Sequence, residues 1–355
     1  MNAGVEALRR EIAARADGLP DTVVMEVCGT HTHAMRRYGI RQLLPGNIRL
    51  VSGPGCPVCV TDGRDLARAL WLAGQRNVTL CSFGDMLRVP CGKESLLSLA
   101  AKGARVRVVV SPLEALQLAR AEPRRAIVYF GVGFETTAPL TAALVDQAGR
   151  QSIPNLSVLS VHKTMPEAVR TLMRSGARVG ALLCPGHVAA VAGAEAFRFV
   201  PEELRLPAAV SGFEAEEMLL ALAALMGMLR AKKPGLVNAY PRAAAPYGNP
   251  AALALLEGVF EPRAANWRGL GEIPASGLAL RGEYAGFDAE KRFDIPLTDV
   301  PEPAGCRCAD VLRGLLEPPE CPLFGSACAP QSPVGACMVS SEGACAAHYA
   351  YGRDL

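Results

Sequence analysis

Apolar runs alternate with helical patterns along residues 21–120. Runs at 23–27, 48–51, 77–81 and 105–110 read as strands, and 63–74, 93–102 and 112–121 as helices. Each predicted strand runs into loop formers: Cys28-Gly29-Thr30, Gly53-Pro54-Gly55, Ser82-Phe83-Gly84-Asp85 and Ser111-Pro112. This order predicts a parallel α/β unit, whose working residues gather at the carboxyl ends of the strands.

The theme returns over 126–230, with strands expected at 126–130, 156–161, 179–183 and 208–210. Their loops are Gly131-Val132-Gly133-Phe134-Glu135-Thr136-Thr137, Val161-His162-Lys163-Thr164, Cys184-Pro185-Gly186-His187 and Ser211-Gly212-Phe213-Glu214. His31 and His162 are 131 residues apart, as are Pro54-Gly55-Cys56 and Pro185-Gly186-His187, and Ser82 and Ser211 are 129 apart. The spacing points to duplication. The expected fold is α/β, with two similar parallel domains at 21–122 and 123–230 whose strand-end loops face each other. The first supplies mainly thiols, the second Glu135, His162 and His187. Beyond residue 230, Pro234, Pro241, Pro246, Pro250, Pro262, Pro274 and Pro296 break the alternation. A third domain is expected at 231–355, joined by the N-terminal helix over 1–20.

Composition narrows the function classes. The 355 residues are 50% hydrophobic and 20% charged, as in a folded globular protein. A net charge of +3 argues against nucleic acid or an anionic membrane as partner. The pattern from Met1 to Ala16 is an amphipathic helix carrying Arg9, Arg10 and Glu11, unlike a secretory signal. The longest apolar helical run, Met218 to Leu229, falls short of the roughly 20 residues of a membrane span. A cytoplasmic protein is expected. There, twelve cysteines point to metal or redox chemistry rather than structural disulfides.

Two Gly and two Pro crowd the loop Ser52-Gly53-Pro54-Gly55-Cys56-Pro57-Val58-Cys59, which is expected to hold both sulfurs at an exposed sheet edge. Such a dithiol closes a disulfide, binds a soft metal or exchanges with substrates, unless it is a zinc half-site or structural turn. The following helix is expected to start only near Thr61-Asp62. Cys28 opens Cys28-Gly29-Thr30-His31-Thr32-His33, so an imidazole close by would make it a better ligand or nucleophile. His33 is expected to be a hydrogen-bonded scaffold residue. Glu135 reads as a cleft carboxylate, or else as a cap for a helix starting near Thr137. Cys81, Cys91 and Cys184 are structural by default.

In the tail, Cys321, Cys328, Cys337 and Cys345 are separated by six, eight and seven residues, with Pro and Gly between them. Four thiolates suit zinc or an iron–sulfur cluster, and the lack of tight pairs favours the cluster. Cys306 and Cys308 are alternative ligands.

Taken together, Cys28-Gly29-Thr30-His31, Gly53-Pro54-Gly55-Cys56-Pro57-Val58-Cys59, Gly133-Phe134-Glu135-Thr136-Thr137-Ala138-Pro139, Cys184-Pro185-Gly186-His187 and Cys321-Pro322-Leu323-Phe324-Gly325 resemble the HypD family of nickel–iron hydrogenase maturation proteins. So does the segment from Pro333 to Gly343. The resemblance implies two Rossmann-like domains and a third holding a 4Fe–4S cluster. It implies a scaffold for an iron carrying cyanide and carbon monoxide, the Fe(CN)2CO unit, rather than an enzyme of ordinary turnover. Its partners would be a HypC-type small chaperone, a HypE-type cyanide donor and, indirectly, the hydrogenase large subunit. Cys28 would be an iron ligand, with Cys56 and Cys59 the redox thiols beside the metal. Cys321, Cys328, Cys337 and Cys345 would hold the cluster, and His31, Glu135 and His187 would be polar cleft residues. One departure is Cys91-Gly92-Lys93, where Gly-rich sequence is expected. The alternative reading is an iron–sulfur-linked thiol–disulfide reductase.

Overall fold

The computed structural model describes residues 3–352. Its parallel strands are β1 (Thr22–Glu26), β2 (Ile48–Ser52), β3 (Val78–Ser82), β4 (Val106–Val108), β5 (Ala126–Gly133), β6 (Leu156–His162), β7 (Ala181–Pro185), β8 (Ala208–Ser211) and β9 (Leu236–Asn238). The first eight match the predicted runs to within three residues. The protein is α/β, as expected. How the strands are shared between sheets is not.

One sheet runs β2-β1-β7-β8-β9 and the other β4-β3-β5-β6. The chain lays down β1 and β2, leaves to build the whole second sheet, and returns through helix Met165–Arg174 to place β7 beside β1. The division at 122/123 is therefore corrected: it cuts the four-stranded sheet between β4 and β5. The boundary near 230 also moves, because β9 lies beyond it. Apolar parallel strands look alike in sequence, and neighbours in sequence usually pair, so nothing local marks the excursion.

The topology does not follow the proposed duplication. A repeat of 131 residues maps β1 and β2 onto β6 and β7. The first two are paired, whereas β6 and β7 belong to different sheets.

The N-terminal helix Ala3–Ala16 packs on helix Ala215–Arg230, and the first two residues of the predicted helix lie outside the described ones. Ile12 and Ala16 enter a core with Val24, Leu50, Leu183, Met218 and Leu222. This helix thus covers the five-stranded sheet rather than joining the cysteine-rich region. Burying each large aliphatic side chain contributes about 1.5–3 kcal/mol, which fixes the pairing. Among the described residues, no helix is long and apolar enough to cross a membrane.

The proline-rich region holds an antiparallel hairpin, β10 (Phe260–Trp267) and β11 (Gly271–Leu280), which sequence reading missed. The fully buried Trp267 donates its indole N–H to Ser276 Oγ at 2.8 Å and stacks on Phe134, fastening the hairpin to the end of β5.

Candidate metal-assembly site

β1 and β2 run side by side, so the loops at their carboxyl ends meet. Gly29 N–H donates to the Gly55 carbonyl at 2.8 Å. A Cβ on Gly55 would stand 2.2 Å from the Cys28 nitrogen, so only glycine allows the Cys56-Pro57-Val58-Cys59 loop to lie against Cys28. The two loops that carry the three cysteines therefore touch through their backbones.

Cys28 precedes helix Gly29–Arg37 and is nearly buried. Burial, and next the carboxylate of Glu342, push its thiol up to about 12; the backbone N–H groups of His31 and Thr30 act in the opposite direction. A free thiol here stays protonated, and a soft cation that displaces the proton finds those N–H groups directed at the sulfur.

Cys56 and Cys59 are joined as a disulfide. Both are buried, which corrects the expected exposed edge. Cys56 also caps a short helix, Pro57–Val60, so a helix starts at the first thiol rather than only near Thr61. Proline at its first position favours that start. Joined to each other, these sulfurs are not thiolate ligands; that role requires the reduced pair.

His31 is fully buried and its Nε2 faces the Gly212 carbonyl at 2.9 Å. A carbonyl only accepts, so Nε2 carries the hydrogen and Nδ1 keeps a bare lone pair, which has no partner. Burial lowers its pKa to about 4, so the ring is neutral. Phe213 lies between two imidazoles, 4.8 Å from the ring of His31 and 3.9 Å from that of exposed His187.

The remaining expected residues lie apart from this group. Glu135 is buried; Oε1 accepts the Met165 N–H at 2.9 Å and Oε2 has no partner. It caps helix Met165–Arg174, not the helix near Thr137. Burial raises its pKa to about 7. Among the described residues, no hydrogen bond or ring contact joins it to Cys28, His31 or His187. His162 is a core residue held by Thr141 and Ser160. His33 clamps the C-terminal segment through the Ser341 carbonyl and Tyr351, the expected scaffold role. The half-buried Cys91 donates to the Gly63 carbonyl at 3.7 Å.

Three residues had no predicted role. Glu342 accepts from Thr30 Oγ1 at 2.7 Å and bears electrostatically on Cys28 and His187. Glu26 is buried beneath the loop, bonded to the Cys28 N–H at 3.1 Å and to Thr32. Phe213 is the third. Their only sequence signal is polar or aromatic character within a Gly-rich or strand-end segment.

In the tail, Cys306, Cys308, Cys321, Cys328, Cys337 and Cys345 ring one cavity with Leu323, Phe324 and Met338. Cys308 and Cys337 sulfurs are 2.6 Å apart, and Val334 N–H points at Cys328 Sγ. Soft donors in an apolar wall, one already accepting an N–H, fit an iron–sulfur cluster. The turn Ala336–Met338 packs on helix Pro57–Val60, and one core cluster contains both members of the disulfide with Cys308, Cys328, Cys337 and Cys345.

A family model described as "HypD: Hydrogenase formation hypA family" matches residues 3–352. The hydrogenase maturation factor HypD of Azotobacter vinelandii is 45% identical over 355 residues, covering 98% of this chain and 94% of that one. That of Rhizobium leguminosarum bv. viciae is 42% identical over 353 residues, covering 97% and 92%. The Escherichia coli K12 protein of the same name is 42% identical over 330 residues, covering 92% and 88%. With strand-end thiols, a histidine pair and a thiol-lined cavity in one parallel α/β frame, the chain belongs to the HypD family of hydrogenase maturation factors.

Proposed function

We propose that the protein is the scaffold on which the Fe(CN)2CO unit of nickel–iron hydrogenase is assembled. The observation that carries this is Cys28: a nearly buried thiol at a helix N-terminus, with Gly55 against its backbone and Glu342 acting on its charge. The iron is cargo. Low-spin iron with cyanide and carbonyl ligands is soft and favours thiolate. Cys28 loses its proton on binding, and the His31 and Thr30 N–H groups stabilise the sulfur left behind. Cyanide nitrogens accept hydrogen bonds, a role suited to exposed His187. The neighbouring disulfide takes up two electrons and two protons to become two thiols, so Cys56 and Cys59 serve as a redox pair and, once reduced, as further ligands.

Cys321, Cys328, Cys337 and Cys345 would hold a 4Fe–4S cluster, with Cys306 and Cys308 on the same cavity. When bound, such a cluster supplies one-electron transfer. A HypC-type chaperone would share the iron, a HypE-type protein would donate cyanide, and the hydrogenase large subunit would receive the product, all in the cytoplasm.

Infrared spectroscopy of the protein copurified with its chaperone tests this. Cys28→Ala should remove the cyanide and carbonyl stretching bands and leave the visible cluster absorbance. Bands that persist would exclude Cys28 as the ligand. A second reading, a cluster-linked thiol–disulfide reductase, draws support from the core shared by the disulfide and the cysteine cavity. It requires no such bands in any state and full activity in Cys28→Ala.

A further inference from the structure

Away from the thiols, a cavity of about 100 Å³ opens between helix Gly63–Ala73, the end of β6, β10 and helix Ala289–Arg292. Its walls are charged. Lys163 is almost completely buried, and its Nζ lies 3.6 Å from Asp65 and 5.8 Å from the Trp267 ring centre. Arg68 pairs with Glu290 and reaches Asp65 at 3.5 Å. Arg263 pairs with Glu290 at 2.5 Å and donates to the Ser160 carbonyl at 2.6 Å.

Three cations, Lys163, Arg68 and Arg263, thus face two carboxylates, Asp65 and Glu290. The nearby Asp62 is engaged by Arg64 and Asp288 by Lys291, each pair neutral, and His162 by Thr141 and Ser160. One positive charge is left unmatched in a partly dehydrated space, an unfavourable arrangement unless an anion completes it. Donors for that anion are present. Lys163 carries three hydrogens on Nζ and has one carboxylate neighbour within 4 Å, and Asn266 lines the same cavity. The cavity, about 100 Å³, is smaller than the roughly 300 Å³ lower bound for drug-sized ligands, yet has room for a small ion. Nucleotides and peptides are too large.

We propose that this cavity is a binding site for a small inorganic oxyanion of the phosphate or bicarbonate type, held by Lys163, Asn266 and the two guanidinium groups. The inference does not depend on the role assigned to Cys28. The site is formed by elements from both sides of the chain's excursion and by β10, so the anion ties the hairpin to the four-stranded sheet.

Isothermal titration of the full-length protein with inorganic phosphate and with bicarbonate, against chloride at equal ionic strength, tests it. Saturable binding of one or both is expected, and competition between them shows which sources share the site. Asn266→Asp, nearly isosteric, adds the missing negative charge and should weaken binding at least about tenfold, as should Lys163→Met. Arg105→Gln, at a separate basic surface cavity, should leave it unchanged. No saturable binding, an equal response to chloride, equal weakening by Arg105→Gln, or Asn266→Asp binding within about twofold of the parent overturns the proposal. If Lys163→Met fails to fold, Asn266→Asp decides alone.

Discussion

Thr30 Oγ1 donates to Glu342 Oε1 at 2.7 Å across 312 residues of sequence. This bond fastens the helix that follows Cys28 to the cysteine-rich tail and sets a carboxylate beside the buried thiol. The tail is thereby part of the site, not an appended module. Glu342→Gln keeps the size and removes the charge. It should lower the Cys28 pKa, seen as a shift of the alkylation-rate profile towards lower pH in metal-free protein. An unmoved profile would mean that burial and Glu26 set it without Glu342.

Gly55→Ala should be severe. The added methyl meets the backbone of Cys28 at 2.2–2.4 Å, where no flexible side chain can yield. A loss of about 3 kcal/mol or more is expected in denaturant unfolding, together with faster alkylation of Cys28 as the loops separate.

Stability should carry two opposing limbs that overlap below about pH 7. Glu135, raised to about 7 by burial, binds its proton more tightly folded than unfolded. Its contribution is full below the unfolded value near 4.5 and is lost as pH rises through 7. His31 and His162, lowered by burial to about 4 and about 3, act in the opposite sense: the unfolded chain takes up protons first, and stability falls below about 6.5. Urea unfolding across pH checks both limbs. Glu135→Gln should remove the falling limb, on the order of 3 kcal/mol between pH 4.5 and 7, so that the variant's stability rises more steeply with pH there.

Cys328→Ala should bleach the visible absorbance of anaerobically purified protein and loosen the tail, because Cys328 Sγ also receives the Val334 N–H. Iron and sulfide analysis is the check, and full retention of both would remove Cys328 from the ligand set.

Much of this protein is written locally. The strands β1 to β8 announce themselves as short apolar runs, and the Gly, Pro, Cys and His residues at the run ends put the candidate site at the carboxyl edges, where Cys28, Cys56 and His187 stand. The six tail cysteines, close in sequence, likewise come to line one cavity. Tertiary structure alone decided which strands share a sheet. Hydrogen-bond pairing between β1 and β7 is a contact across more than 150 residues, and a backbone edge offers the same donors and acceptors to any prospective neighbour. It also decided the fate of the charged groups. Of two similar His-bearing loops, one became a core contact with Thr141 at His162 and the other a buried ring bonded to the Gly212 carbonyl at His31, because burial and hydrogen-bond acceptors are supplied by distant segments. Glu342, Phe213 and Glu26 escaped sequence reading for that same reason: what makes them matter is the company they keep after folding.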